Sequence, residues 1–196
     1  PNPAGGPGAT RHATGYRPER PCAPHLPAPC LPAHRLLDLL IPSPPARVVT
    51  VASNAHTTGQ IDFDDLQGGR SYSGSRAYNQ SKLANILFTY ELARRLHASA
   101  VTANALHPGV VNTAFGAEDP RGIQRLIIPF ARPFLKTPAQ GAATSIHLAS
   151  APDLEQVTGR YFANSKPKES SKRSYDEATA ARLWQVSADL VGPTVA

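Results

Sequence analysis

The chain has 196 residues, 41% of them hydrophobic and 17% charged, with 20 prolines and a formal net charge of +6. That length allows one ordinary domain with or without a tail and excludes a multidomain machine, and no apolar run approaches the ~20 residues that cross a bilayer, so a membrane span is excluded. The positive charge is dispersed: its one cluster, Lys166, Lys168, Lys172 and Arg173, is diluted by Glu169 and serines and has no aromatic platform, which reads as a solvated loop and leaves nucleic acid out of the expected partners.

Two compositions share the chain. Residues 1–45 hold 12 of the 20 prolines, both cysteines and no Val, Phe, Trp or Lys, whereas all six Phe and the single Trp lie beyond residue 60. The first residues show neither a basic nor an apolar leader region, so a cytoplasmic setting is the expectation, and no Met opens the chain, which predicts a fragment. Over residues 1–35 proline recurs too often for a helix interior or a central strand, predicting an extended or disordered segment. Cys22, His25, Cys30 and His34 carry zinc-ligand chemistry, but in no standard ligand order and with prolines between them; no metal is expected.

From Leu36 the pattern changes. Leu36–Ile41 reads as a helix end stopped by Pro42, Pro44 and Pro45, and Arg47–Ser53 is a β-branched apolar run suited to a parallel strand covered on both faces. A polar, Gly-rich loop over 54–75 precedes a helix from about Arg76 to His97, with Leu83, Ile86, Leu87, Tyr90, Ala93 and Leu96 on one stripe. Val101–Leu106 is a second strand, ended by His107-Pro108-Gly109. Strand, helix, strand predicts a right-handed crossover and a parallel sheet. The segment Gly116–Lys136 reads as an apolar lid; Thr137-Pro138-Ala139-Gln140 is a capping box opening a helix to about Ser150. Gly159–Ala163 reads as a third strand and Asp176–Leu190 as a closing helix, making an α/β fold.

Tyr78 and Lys82 stand four residues apart at the start of the long helix, which places them on one face. An ammonium beside a phenol favours the phenolate and makes a tunable acid, although the pair alone is unspecific and equally describes a solvated helix face. Ser53 ends the preceding strand, and sites in parallel α/β sheets lie beyond the carboxyl ends of strands. The turn from Pro108 to Thr113 leaves the next strand at that same end.

These segments resemble the short-chain dehydrogenase/reductase family, in its retinol dehydrogenase-like branch. Arg47–His56 is similar to the catalytic-serine strand, with Ala52 where the family usually has Ser; Phe63–Gln67 resembles the substrate-side loop; Ala77–Asn85 resembles the Tyr-Lys helix; and His107–Thr113 resembles the nicotinamide-contacting turn. Gly159–Phe162 and Arg182–Trp184 continue the likeness, which covers residues 34–196. The resemblance implies a doubly wound, Rossmann-like α/β sheet whose first strands are missing. It also implies catalytic roles for Ser53, Tyr78 and Lys82, and NADP or NAD held by Tyr78, Lys82, Pro108, Gly109, Val111 and Thr113. The implied partners are a small apolar alcohol, aldehyde or ketone and, as is common in the family, a second copy docked through the long helix.

Residues 36–196 are thus expected to be part of a dehydrogenase domain. No strand precedes the glycines at 5, 6 and 8, which fail as a dinucleotide fingerprint, and the family's Asn just before residue 36 is absent. Cofactor binding that is weak or absent, and an unpaired edge beside the Ser53 strand, follow as expectations. A non-catalytic remnant or interaction module is the alternative reading. The abrupt start of the likeness further suggests that residues before about 35 are out-of-frame translation of GC-rich DNA, with a Pro-rich adaptor arm as the alternative. Reading the coding DNA in the other two frames is expected to yield an apolar helix with an Asn just before residue 36; its absence from both frames rejects a frame shift.

Overall fold

The computed structural model of the chain describes residues 27–111 and 135–191. Strands β1 (Ala46–Val51), β2 (Val101–His107), β3 (Tyr161–Ala163) and β4 (Lys166–Lys168) lie side by side in that order. The first three run parallel, and β4 folds back antiparallel to β3. Helices α1 (Pro27–Leu40), α2 (Gly74–Arg95), α3 (Pro138–Ser150) and α4 (Glu177–Val191) cover the sheet. This is the α/β architecture expected, as part of a doubly wound sheet.

Side-chain alternation along the strands makes two cores. Ala46, Val48, Ala52, Val101, Ala103, Ala105 and Tyr161 face α1, α2 and α4, where Phe88, Leu92 and Trp184 fill the first cluster and Ile86 and Tyr90 the next. Val49, Leu106 and Phe162 point to the other face and meet Leu148 of α3 and Leu154. Arg47 joins the layers by donating from one guanidinium nitrogen to the carbonyls of Leu148 at 3.1 Å and Ala151 at 2.8 Å, satisfying acceptors that the end of α3 leaves open. The start of α3 carries the expected capping box, with Thr137 and Gln140 bonded reciprocally and Pro138 in the first turn.

Helix α2 is buried without interruption from Leu83 to Ala93, between the sheet on one side and Ala180 and Leu183 of α4 on another. Its polar residues in that stretch are bonded inside the chain: Thr89 donates to Asn85 O at 2.7 Å, and Glu91 accepts from both Arg94 and Arg95 at 2.7 Å. The stretch Leu83–Ala93 therefore has no exposed apolar stripe for the expected second copy to cover.

Two boundaries differ from the expectations. The segment 1–35 was expected to be extended or disordered, yet α1 begins at Pro27. Pro27 and Pro29 sit in the first turn, where an amide has no helical partner to lose, and only Pro32 removes an interior bond. Packing of Ala33, Leu37 and Leu40 against Phe88, Leu92 and Trp184 outweighs that loss. Residues 1–26 lie outside the described residues, with Cys22 and His25 of the Cys/His array; Cys30 and His34 fall on α1. The basic cluster, expected as a solvated loop, instead forms the edge strand β4 and a 3-10 turn over Lys172–Tyr175. Asn164 and Ser165, at φ 52° and 58°, make the tight left-handed turn into β4, and Pro167 and two lysines suit an edge that should attract no further strand.

The polar loop after β1 is fastened to α2 at Gly59, which is buried. A Cβ there would stand 2.5 Å from Asn79 O and 2.9 Å from Leu83 Cβ. Gly59→Ala is expected to lower stability by about 1–3 kcal/mol, the usual cost of overpacking, as read by urea unfolding; an unchanged midpoint would show that the loop yields freely.

Candidate functional site

The parallel strands end at one edge, and the crossover returns the chain so that α2 starts there too. Ser53 lies just past β1 in extended backbone, φ −158° and ψ 157°, and caps the 3-10 turn Asn54–Thr58 by accepting the Ala55 amide on Oγ at 3.3 Å. That turn packs on the first turns of α2, where Asn79 Nδ2 donates to Thr58 Oγ1 at 2.9 Å. Tyr78 and Lys82 stand on those turns, with the Lys82 Nζ 5.4 Å from the centre of the Tyr78 ring. The structure thus brings the two helix residues of the expected set together and places the Ser53 segment against the same end of the helix.

The loop expected on the substrate side is held in place. Asp62 donates its amide to Gln80 Oε1 at 2.8 Å, and Gln80 Nε2 donates to Leu66 O at 3.2 Å. The Asp65 carboxylate accepts the amides of Gly69, Arg70 and Ser71. Ile61, Phe63 and Leu66 pack onto Leu83, Leu87 and Leu183, and Arg182 lies 4.0 Å above the Phe63 ring.

Pro108, Gly109 and Val111 follow β2 at the same edge, with Gly109 at φ 96°. Thr113 and the expected lid up to Phe134 lie outside the described residues. Lys136 clasps this turn from the far end of that segment: its amide donates to Val110 O at 2.9 Å, and its Nζ donates to Pro108 O at 3.1 Å and Asn164 Oδ1 at 2.7 Å. The Lys136 side chain runs where a Cβ on Gly109 would stand, at 2.8 Å. The backbone conformation at φ 96° is what favours glycine at 109, whatever else the turn holds, since the end of the Lys136 side chain could shift aside.

Lys82 also lines a groove of about 460 Å³ between α1 and the outer edge of β1. Asn85, one turn further along α2, donates from Nδ2 to Val51 O at 3.1 Å, and its buried Oδ1 has no partner among the described residues. The lining is mostly apolar, from Ala33, Leu36, Leu40, Val48 and Phe88, with Lys82 as the cation at its rim that could hold a ribose hydroxyl of a nicotinamide cofactor. The diphosphate end finds no glycine-rich strand-to-helix turn among the described residues, which hold no group of three or more His, Cys, Asp or Glu side chains placed to bind a metal either.

Residues without an assigned role in the sequence tie the strand ends together. Tyr161 donates its hydroxyl to Asn54 Oδ1 at 3.1 Å, and the Asn54 amide reaches His107 Nδ1 at 3.4 Å. His56 is buried and bonds both Ser53 and Ser171. The one available sequence signal was a histidine three residues past a strand-end serine, too common to single out. Both histidines are held below the ordinary value of 6.5: His56 by burial, against the Ser53 carbonyl and helped by Lys168, and His107 by burial and then by Lys136, Lys168 and His56.

Comparison with known proteins places this arrangement among relatives. The chain is 48% identical over 159 residues to human retinol dehydrogenase 14, covering 80% of this chain and 47% of that protein. It is 47% identical over 157 residues to mouse retinol dehydrogenase 12, covering 80% and 49%. The chain thus spans about half the length of the curated relatives it matches. A crystal structure of an uncharacterised protein from Mycobacterium paratuberculosis superposes with a TM-score of 0.58 at 32% identity, over 82% of this chain and 56% of that one. A Thermus thermophilus protein shares the fold, with a TM-score of 0.55 at 23% identity, over 72% and 56%. No family model matches.

A lowered histidine pKa has a defined effect on stability. The unfolded chain takes up protons as pH falls through 6.5, while folded His56 and His107 do not, so the unfolded state gains and stability drops. Stability is expected to be full above pH 6.5 and to decline below it, toward the folded values. Thermal unfolding across that range should show a slope that His107→Gln, which keeps an acceptor for Asn54, makes shallower; an unaltered slope would remove His107 from this account.

Proposed function

We propose, from the premise that this chain belongs to the short-chain dehydrogenase/reductase family and its retinol dehydrogenase-like branch, that it carries the proton-transfer half of an NAD(P)-dependent oxidoreductase acting on a small apolar alcohol, aldehyde or ketone. The observation that carries this reading is the placement of the Lys82 ammonium 5.4 Å from the Tyr78 ring, on the helix end against which the Ser53 segment packs. When bound, the nicotinamide cofactor supplies hydride chemistry at the substrate carbon.

In reduction, Tyr78 gives its hydroxyl proton to the substrate oxygen, and in oxidation it takes that proton back. Lys82 keeps its charge beside the Tyr78 ring and would hold a ribose hydroxyl. The Ser53 hydroxyl, projecting from fixed extended backbone, donates to the same substrate oxygen and orients it. Pro108, Gly109 and Val111, with Thr113 following, would hold the nicotinamide side of the cofactor.

A second reading, a module that keeps the fold without turnover, is favoured by the missing diphosphate turn among the described residues. One measurement separates them. Turnover of an apolar aldehyde with reduced nicotinamide cofactor is expected in the full chain, and Tyr78→Phe is expected to lower kcat by about 10²–10⁴-fold, the usual worth of a positioned acid. A chain that binds no cofactor and turns over no aldehyde belongs to the second reading.

A further inference from the structure

His56 is 2% exposed and sits in the middle of the 3-10 turn that follows Ser53. Its Nδ1 lies 2.6 Å from Ser53 O, its own amide donates to that carbonyl at 3.1 Å, and its Nε2 accepts the Ser171 amide at 3.1 Å. A carbonyl only accepts and an amide only donates, so Nδ1 must carry the proton and Nε2 must be bare. The ring is fixed on a third side by Tyr161, edge-on at 5.0 Å. By contrast, among the described residues the Ser53 hydroxyl accepts only the long bond from the Ala55 amide, at 3.3 Å.

We infer that His56 is a positioning residue for Ser53: as a single neutral tautomer it bridges the Ser53 carbonyl to the Ser171 amide and so fixes the backbone from which the Ser53 hydroxyl projects. The inference rests on the role proposed for Ser53. Protonation breaks the bridge, because an imidazolium turns an Nε2–H toward the Ser171 N–H, donor against donor. The surroundings oppose that charge. Lys168 on β4 and His107 at the end of β2 face the ring, and Arg173 reaches Gly59 O close by. The Tyr161 phenol, pushed up to about 12 by burial, stays neutral and offers no counter-charge.

The test uses the full chain, with His56→Phe and His56→Asn as variants. Imidazole nitrogen NMR from about pH 4.5 to 7.5 is expected to show neutral His56 protonated on Nδ1 alone, and titrating below the ordinary value. Exchange of the Ser171 amide should rise about tenfold or more in His56→Phe. Per folded molecule, kcat for an apolar aldehyde should fall about tenfold or more in His56→Phe with KM nearly constant, since misplacement of a reacting group acts on the chemical step. His56→Asn, whose amide can still donate to Ser53 O, should recover part of that loss. The acid limb of the kcat profile below pH 6.5 should disappear with the imidazole. A proton on Nε2, an ordinary titration, or a His56→Phe enzyme with the wild-type kcat and pH profile would overturn the inference. A wild-type chain without turnover would overturn the role of Tyr78 and Ser53 instead, while the tautomer and the Ser171 exchange would still uphold or reject the bridge.

Discussion

Parallel pairing of β1 with β2 is the constraint on which the rest depends. Two parallel strands cannot be joined by a hairpin, so the chain must cross back over the sheet before β2 can begin. The crossover is α2, and its burial from Leu83 to Ala93 fixes its height and rotation against the sheet. Because the helix descends from the edge where β1 ends, the first turns of α2 and the residues after β1 share that edge without any dedicated device. Tyr78, Lys82 and Ser53 are held by the same packing that holds the fold.

Rigidity at this edge comes from polar groups that are almost all matched. Gln80 fastens the 62–66 loop, Asn54 and Tyr161 tie β1 to β3, Lys136 ties the Pro108 turn to the β3–β4 hairpin, and His56 ties Ser53 to Ser171. Each is a hydrogen bond across a long sequence separation, and the His56 bridge in particular leaves a buried group unsatisfied if its partner is removed. Such a site resists reshaping by single loops and makes geometry near Ser53 sensitive to residues that never approach a substrate.

Much of this was legible in the sequence, for reasons that differ by element. The β-branched run Val48–Val51, the stripe on α2 and the capping box at Thr137 are local signals, each written in the period of its own element. Tyr78 and Lys82 were legible because helical spacing alone decides that they meet. The start of α1 was not, because Ala33 and Leu37 are held by Phe88 and Trp184, residues more than 50 positions away in the chain. Strand β4 was missed because Lys-Pro-Lys has no strand propensity and pairs only through the left-handed turn at Asn164 and Ser165. His56 and Lys136 act through bonds to Ser171, Pro108 and Asn164, and no spacing rule reports contacts of that range.

The outer edge of β1 holds one more consequence, in the bond between Asn85 and Val51. The Ala52 amide pairs with Leu106, so the alternation of a parallel ladder turns the peptide groups of Arg47, Val49 and Val51 outward. Asn85 has already taken the Val51 carbonyl. Among the described residues Arg47 and Val49 have no strand partner on this edge, and at Val51 a side-chain amide takes the place of one, so the end of the ladder nearest Ser53 is closed by α2 itself.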